Sequence, residues 1–136
     1  AMTDPGWALQ KAAYARLTTD AGVLAELGGA KVYDHVPRGT PKPYVTFGRN
    51  VVRDWSTGES LGHEHELVLH VWAGAKGRKT TTAILAALRA ALHDQALPLD
   101  GHRLVNLRHV VSDTTREPDG ETLEGIARFR AVTEVA

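Results

Sequence analysis

The sequence contains no cysteine among its 136 residues, which excludes disulfide bonds, zinc sites built on thiolates and cysteine nucleophiles. It also has no net charge, because 16 basic residues balance 16 acidic ones. No global field therefore draws the protein to nucleic acid or to an anionic membrane. No apolar run approaches the roughly 20 residues that cross a bilayer, and no signal-like segment opens the chain. These absences predict a cytosolic protein with no membrane partner.

The length of the chain bounds the number of domains. With 136 residues, 43% of them hydrophobic, the chain is long enough for one core and too short for two. We therefore predict a single domain over residues 3–136. Ala1 ahead of Met2 indicates an expression scar followed by an initiator methionine, and both residues are left out of the fold prediction.

Residues 63–95 form the unit onto which the other segments are predicted to pack. The first half alternates with a period of two, which is typical of a half-buried strand. Its two faces are Leu67, Leu69, Val71 and Ala73 on one side, and Glu64, Glu66, His70 and Trp72 on the other. The second half has helical spacing, with Ile84, Leu88, Ala91 and Leu92 on one side. We expect this helix to cover the apolar face of the strand.

The flanking segments predict two more helices and up to four more strands. Asp4 and Pro5 suit the start of a first helix, in which Leu9, Ala13 and Leu17 with Tyr14 form a stripe. Asp20 caps a short second helix that ends at Gly28. KVYDHV is a brief strand candidate, YVTFGRNVVRDWS pairs with the strand after it, and the region from 102 to 135 forms a terminal hairpin. Within that hairpin we expect Val105, Leu107 and Val111 to share one face.

These elements together predict an α+β fold. The sheet is expected to be antiparallel, with four or five strands and two main helices packed largely on one face.

Histidines are the first candidates for chemistry. His63 and His65 lie two residues apart, on the same side of the predicted strand. A catalytic zinc needs about three protein ligands, so His35, His102 or His109 would have to supply another from a distant segment. The spacing also differs from the helical motif of zinc proteases. We therefore predict no metal ligand, and we interpret the two histidines as a solvated strand start.

Catalytic and phosphate-binding motifs give no better candidate. Ser56, Ser60 and Ser112 lie outside any Gly-x-Ser-x-Gly elbow. GAKGRKTTT lacks the spacing of a phosphate-binding loop, although Arg78 and Lys79 occupy a helix start that disfavours cations and so suggest a partner. The sequence predicts no catalytic residue and no cofactor, and we expect that the protein is not an enzyme.

Charges and aromatic residues favour an assembly surface. Arginines 103, 108, 128 and 130 could form a basic stripe, but Glu121, Glu124 and Glu134 are interleaved, which indicates cross-strand ion pairs rather than a nucleic-acid platform. Trp55 lies beside a polar loop, where large amphipathic rings are typical of interfaces. The edges of a small sheet also need protection, and packing in a ring provides it.

Five blocks of sequence carry a family resemblance through their order and spacing: VYDHVPRGTPKPYVTFG, RDWST, HELVLHVWAGAKGRK, AALRAALHD and GHRLVNLRHVVSDTTREPDGETLEGIARFRAVTE. From about Leu9 to Glu134 the chain resembles the tail-completion, or tail-terminator, family of tailed phages, prophages and gene transfer agents. The resemblance implies a small α+β subunit that forms a hexameric ring on the head-proximal end of a tail tube.

The same resemblance implies which proteins are its partners and where in the cell and the particle it is found. Such a ring stops the tail tube protein from polymerising further and offers a surface to the head connector or stopper protein. It leaves room for a passing contact with DNA in the tail channel. The protein would occupy the cytoplasm of the bacterial host during assembly and the tail of the particle afterwards.

Two sets of interface residues follow as a hypothesis. The loops 38–43 and 53–62 would contact neighbouring subunits, tube or connector through Arg38, Lys42, Arg53, Asp54 and Trp55. The edge strands would meet around the ring, where Glu124, Arg128 and Arg130 would fix the register between subunits. The alternatives are a small hydrolase or metal-dependent enzyme that uses the histidines, and an adaptor that forms no ring.

Overall fold

The computed structural model describes residues 3–136, so the predicted scar at positions 1 and 2 lies outside the described residues. Three helices and five strands follow one another along the chain. The helices are α1 (Pro5–Leu17), α2 (Ala21–Leu27) and α3 (Arg78–Leu92). The strands are β1 (Val32–Tyr33), β2 (Tyr44–Asp54), β3 (Gly62–Gly74), β4 (His102–Arg116) and β5 (Thr122–Val135). Among residues 3–136, no helix has the length and apolar character that a membrane span needs.

The five strands form one sheet in the order β1-β2-β3-β5-β4. The two-residue strand β1 runs parallel to β2, and all other neighbours are antiparallel. The predicted α+β fold is confirmed, with this short parallel pair as an addition to the antiparallel sheet. Because β5 lies between β3 and β4, the edges of the sheet are β1 and β4.

The helix ends follow the predicted capping. The Asp4 carboxylate accepts a hydrogen bond from the Trp7 backbone N–H at 3.1 Å, and Asp20 accepts one from Val23 at 3.1 Å. Gly28 ends α2 with a φ of 74°, a left-handed conformation in which a side chain would be strained. Helix α3 begins at Gly77 without a side-chain cap.

The helices pack on one face of the sheet, which we call the covered face. Leu67, Leu69 and Val71 of β3 are buried there against Ile84 and Leu88 of α3, as predicted. The prediction for α1 was partly wrong. Leu9, Ala13 and Leu17 are buried, but Tyr14 is 46% exposed. Tyr14 follows Leu9 by five residues, which rotates its side chain by about 140° around the helix axis relative to Leu9. Tyr14 therefore points away from the core.

The prediction for β4 was also partly wrong. Leu107 is buried, whereas Val105 and Val111 are 48% and 43% exposed. The pairing of β4 with β5 shifts register between Leu104 and Asn106 and again between His109 and Val111. At each shift β4 contains one residue more than the facing part of β5, and this extra residue inverts the alternation of side chains along β4. Val105, Leu107 and Val111 therefore do not share a face.

Candidate interaction surface

The second face of the sheet, which we call the open face, carries a ladder of ion pairs between β3 and β5. Arg130 binds Glu64 through Nη2 at 2.6 Å and through Nε at 2.7 Å. Arg128 Nη1 lies 3.3 Å from Glu66 Oε1. Each pair is diagonal, because Glu66 lies directly opposite Arg130 and Val68 opposite Arg128. Cross-strand ion pairing is therefore present, but the predicted partners were mostly wrong. Arg128 and Arg130 bind glutamates of β3, and of the predicted pairings the structure of residues 3–136 contains Arg103 with Glu134.

Trp55 contacts one arginine of this ladder. It is the first residue of loop 55–61, which follows the end of β2. The Arg130 guanidinium carbon lies 5.3 Å from the centroid of the Trp55 ring, the geometry of a cation–π contact. Arg53 Nη1 lies 3.8 Å from Glu64 Oε1. The Trp55 ring remains 52% exposed. We call Arg53, Trp55, Glu64 and Arg130 the Trp55 cluster.

Asp54 has a local role beside this cluster. Its carboxylate accepts hydrogen bonds from the Ser56 hydroxyl at 2.6 Å and from the Ser56 backbone N–H at 3.3 Å. These bonds hold the pKa of Asp54 below its ordinary value. Asp54 thus fixes the first turn of the loop that presents Trp55.

A second cluster lies at the opposite end of the open face. His70 Nδ1 is 2.8 Å from Glu124 Oε1, and the His70 ring stacks on Trp72 with centroids 5.9 Å apart. Burial raises the pKa of Glu124, but its hydrogen bonds, one of them with His70, outweigh burial and leave the pKa below its ordinary value. A Cβ atom on Gly48 would collide with the His70 ring, so this glycine makes room for it.

The structure does not bring the two predicted loops together. Loop 38–43 precedes β2, whereas the predicted loop 53–62 comprises the last two residues of β2, the loop 55–61 and the first residue of β3. The 11-residue strand β2 is roughly 35 Å long. Arg38 is exposed in the first loop, and Lys42 Nζ donates a hydrogen bond to Thr122 Oγ1 at 2.7 Å. The two loops therefore lie at opposite ends of the sheet.

The predicted register charges are not on an edge strand. Glu124, Arg128 and Arg130 all belong to β5, which has β3 on one side and β4 on the other. The prediction of an edge position was therefore wrong, because the last strand of the chain lies inside the sheet. Their side chains lie on the open face.

His65 corrects the interpretation of the strand start. Its side chain is 1% exposed, and Nε2 lies 2.8 Å from Thr133 Oγ1. Burial lowers its pKa to about 4. Its position in the alternation, two residues before Leu67, is the signal that puts it on the covered face. The Nδ1 atoms of His63, His65 and His102 are buried without a partner. Even so, within residues 3–136 no group of three histidine or acidic side chains is placed to hold a metal ion.

A serine and a histidine do meet on β4. Ser112 Oγ lies 2.7 Å from His109 Nε2, because the bulge after His109 turns both side chains to one side. Burial lowers the pKa of His109, and the nearby Arg89 and His93 side chains add to this effect. A catalytic triad needs a third group that orients the histidine, and in the described part of the chain no carboxylate bonds the second ring nitrogen.

Comparisons with known proteins identify relatives of this chain and of its fold. A family model described as "Tail completion protein gp17" matches residues 11–134. The tail completion protein gp17 of Bacillus phage SPP1 is 27% identical over 123 residues, which are 90% of each chain. The solved structure of that SPP1 protein is 26% identical with a TM-score of 0.62, covering 93% of this chain and 88% of that one. A chain of the native gene transfer agent particle is 35% identical with a TM-score of 0.87, covering 94% of this chain and 96% of that one.

Proposed function

The chain belongs to the tail completion protein gp17 family, and we propose that it forms a hexameric ring that ends a tail tube and joins it to the head connector. Membership makes it a structural tail protein of the kind found in phages and gene transfer agents. Its proposed partners are further copies of itself, the tail tube protein and the connector or stopper protein, with DNA as a passing contact in the channel. It would act in the host cytoplasm during assembly and then in the tail of the particle.

The open face is the observation that carries this proposal. A sheet of this size usually buries only one face, and here the second face holds charged side chains that pair within the subunit. Paired charges have fixed positions, and a fixed pattern of charge selects a partner and its register more than it adds affinity. Trp55, half-exposed at one end of the face, supplies the aromatic anchor that interfaces favour.

Because the two loops lie at opposite ends of the sheet, each can contact a different partner along the axis of the tail. Loop 53–62 presents Arg53, Asp54 and Trp55 at one end of β2, and loop 38–43 presents Arg38 and Lys42 at the other. A terminator must contact a tube on one side and a connector on the other. We assign one loop to each partner, and we assign Glu124, Arg128 and Arg130 to contacts between copies.

The mass of the protein in solution tests the ring. Light scattering would be measured on the protein alone and with assembled tail tubes, with bound metal assayed on the same sample. We expect a mass near six subunits, or a monomer that caps tube ends once tubes are added. A monomer that binds tubes without a ring would favour an adaptor. A metal-loaded monomer that ignores tubes would contradict the proposal.

Trp55 provides a sharper test with a matched control. Trp55→Ala removes the ring under Arg130 and should impair capping of tubes, while thermal unfolding of the free subunit stays nearly unchanged because the side chain is exposed. Trp55→Phe keeps an aromatic face for the guanidinium and should retain most capping. Full capping by Trp55→Ala would remove this residue from the interface.

A further inference from the structure

Two apolar grooves lie on opposite flanks of the helix layer. One lies between α3 and the edge strand β4, has a volume of about 510 Å³, and is lined in part by Leu85, Ala86, Ala90 and His109. The other lies on the α1 side beside β1 and is bordered by Trp7, Tyr14, Tyr33 and Phe47. We call them the α3 groove and the α1 flank. The sheet order puts β1 and β4 at opposite edges, so the two features face away from each other.

The two grooves differ in the size of the side chains that border them. Trp7 and Tyr14 are two helical turns apart on α1, and they project from the α1 flank with 52% and 46% of their surfaces exposed. Ala86 and Ala90 are one turn apart on α3 and leave the α3 groove open. Exposed rings that border one groove and small residues that line the other are the combination that lets side chains of one helix insert between those of another.

Charges on the two flanks are complementary as well. Arg89 lines the α3 groove, is exposed and, among residues 3–136, forms no ion pair. Asp34 borders the α1 flank, where its only described partner is the Gln10 amide at 3.1 Å. Lys11 also borders the α1 flank, but its ammonium lies 3.4 Å from the Asp100 carboxylate, which offsets its charge. The Arg89 cation beside one groove and the Asp34 anion beside the other therefore favour the pairing of one flank with the other over the pairing of like flanks.

We propose that the α1 flank of one copy docks into the α3 groove of the next copy, with Trp7 and Tyr14 inserted beside Ala86 and Ala90 and with Asp34 facing Arg89. The inference rests on the proposed ring. A contact between two different surfaces of the same chain repeats from copy to copy and closes into a ring when the rotation allows it. The same contact covers β4, a 15-residue edge strand whose unpaired backbone groups would otherwise invite aggregation.

Crosslinking in this cysteine-free chain tests the proposal directly. Tyr14→Cys and Ala90→Cys would be introduced together and separately, and a short bis-maleimide would be added to the protein assembled on tail tubes. The double variant should give a ladder of covalent species that ends at six subunits. A mixture of the two single variants should give dimers only, because each crosslink consumes one residue of each kind. A double variant that still caps tubes but forms no ladder would overturn the inference.

A charge exchange gives a second test. Asp34→Arg and Arg89→Asp should each reduce the fraction of capped tubes several-fold, and the double exchange should restore most of it. Glu26→Arg, which reverses an exposed charge on α2 outside both flanks and both loops, is the matched control and should cap normally. Failure of the double exchange to restore capping would contradict the pairing of Asp34 with Arg89. A wild-type protein that neither forms a ring nor caps tubes would instead remove the proposed function, and the inference with it.

Discussion

Leu67 and Leu69 on the covered face of β3 are at most 2% exposed, whereas the side chains of Glu64 and Glu66 on the open face keep 19% and 30% of their surface. The same strand therefore carries two kinds of interaction. Apolar burial on the covered face stabilises the fold by roughly 2 kcal/mol for each large side chain. Partly exposed ion pairs on the open face contribute between about 0 and 1 kcal/mol each. The covered face thus carries most of the stability, and the proposed recognition lies on the opposite side of the same sheet.

The largest effect should follow from a cavity on the covered face. Leu69→Ala removes a side chain that is 0% exposed and should lower the free energy of unfolding by about 4 kcal/mol. Urea denaturation measures this loss. Leu61→Ala, at a position that is 62% exposed, is the matched control and should change stability by less than about 0.5 kcal/mol. Similar losses in both variants would erase the contrast between buried and exposed positions.

Acid should weaken the covered face through His65. In the folded protein the pKa of His65 is about 4, against an ordinary value of 6.5 that applies to the unfolded chain. Above about pH 6.5 both states are neutral and pH has no effect through this group. Between 6.5 and 4 only the unfolded chain gains a proton, so stability falls as pH falls, by up to about 3 kcal/mol.

Two histidine variants isolate this contribution. His65→Gln cannot gain a proton but keeps a polar group near Thr133, so its stability should depend less on pH between 4 and 6.5. His35→Gln removes an exposed imidazole and should keep the wild-type profile. Denaturation midpoints across this range supply the comparison. A His65→Gln profile identical to wild type would show that the buried histidine is not the cause.

Two glycine substitutions compare the faces directly. On the covered face, a Cβ atom at Gly125 would lie 2.8 Å from Thr81 Cγ2 and 3.1 Å from Leu85 Cδ1, so Gly125→Ala should cost about 2 kcal/mol by overpacking. On the open face, Gly48→Ala meets the His70 ring, which can swing towards solvent, and should cost less than about 1 kcal/mol. Urea denaturation gives both values, and NMR of the His70 ring should show its displacement. Equal costs would mean that the open face is as rigid as the core.

The smallest effect should come from the ladder itself. A double-mutant cycle with Arg128→Ala and Glu66→Ala should give a coupling energy below about 1 kcal/mol, because 42% and 30% of these side chains are exposed. The coupling should shrink further in high salt. A value above about 2 kcal/mol would assign the open face a structural role comparable to that of the core.

The predictable parts of the fold are those set by neighbouring residues. The alternation around Leu69 and the helical spacing around Leu88 identify β3 and α3, and Asp4 and Asp20 mark the two helix starts. The bulges of β4 could not be predicted, because they depend on how this strand pairs with β5. The same limit applies to strand order, which alone puts β5 inside the sheet.

The candidate site was less predictable than the fold. Trp55 and Arg130 were both singled out from the sequence, but their contact joins segments that are far apart in the chain and become neighbours only in the folded sheet. The partners Glu64 and His70 were visible as polar residues on one face of a strand, without any indication of which arginine or acid they bind. His65 was misassigned because the neighbouring glutamates were given more weight than its register with Leu67.

The interior position of β5 has a consequence for synthesis. Strand β3 emerges from the ribosome early, but its partner on one side is encoded after α3 and β4. Until β5 is translated, one edge of β3 and the whole of β4 lack the strand that joins them. A chain released before β5 would therefore expose apolar strands instead of presenting a finished subunit. Only a completed chain can therefore present both faces of the finished sheet to a partner.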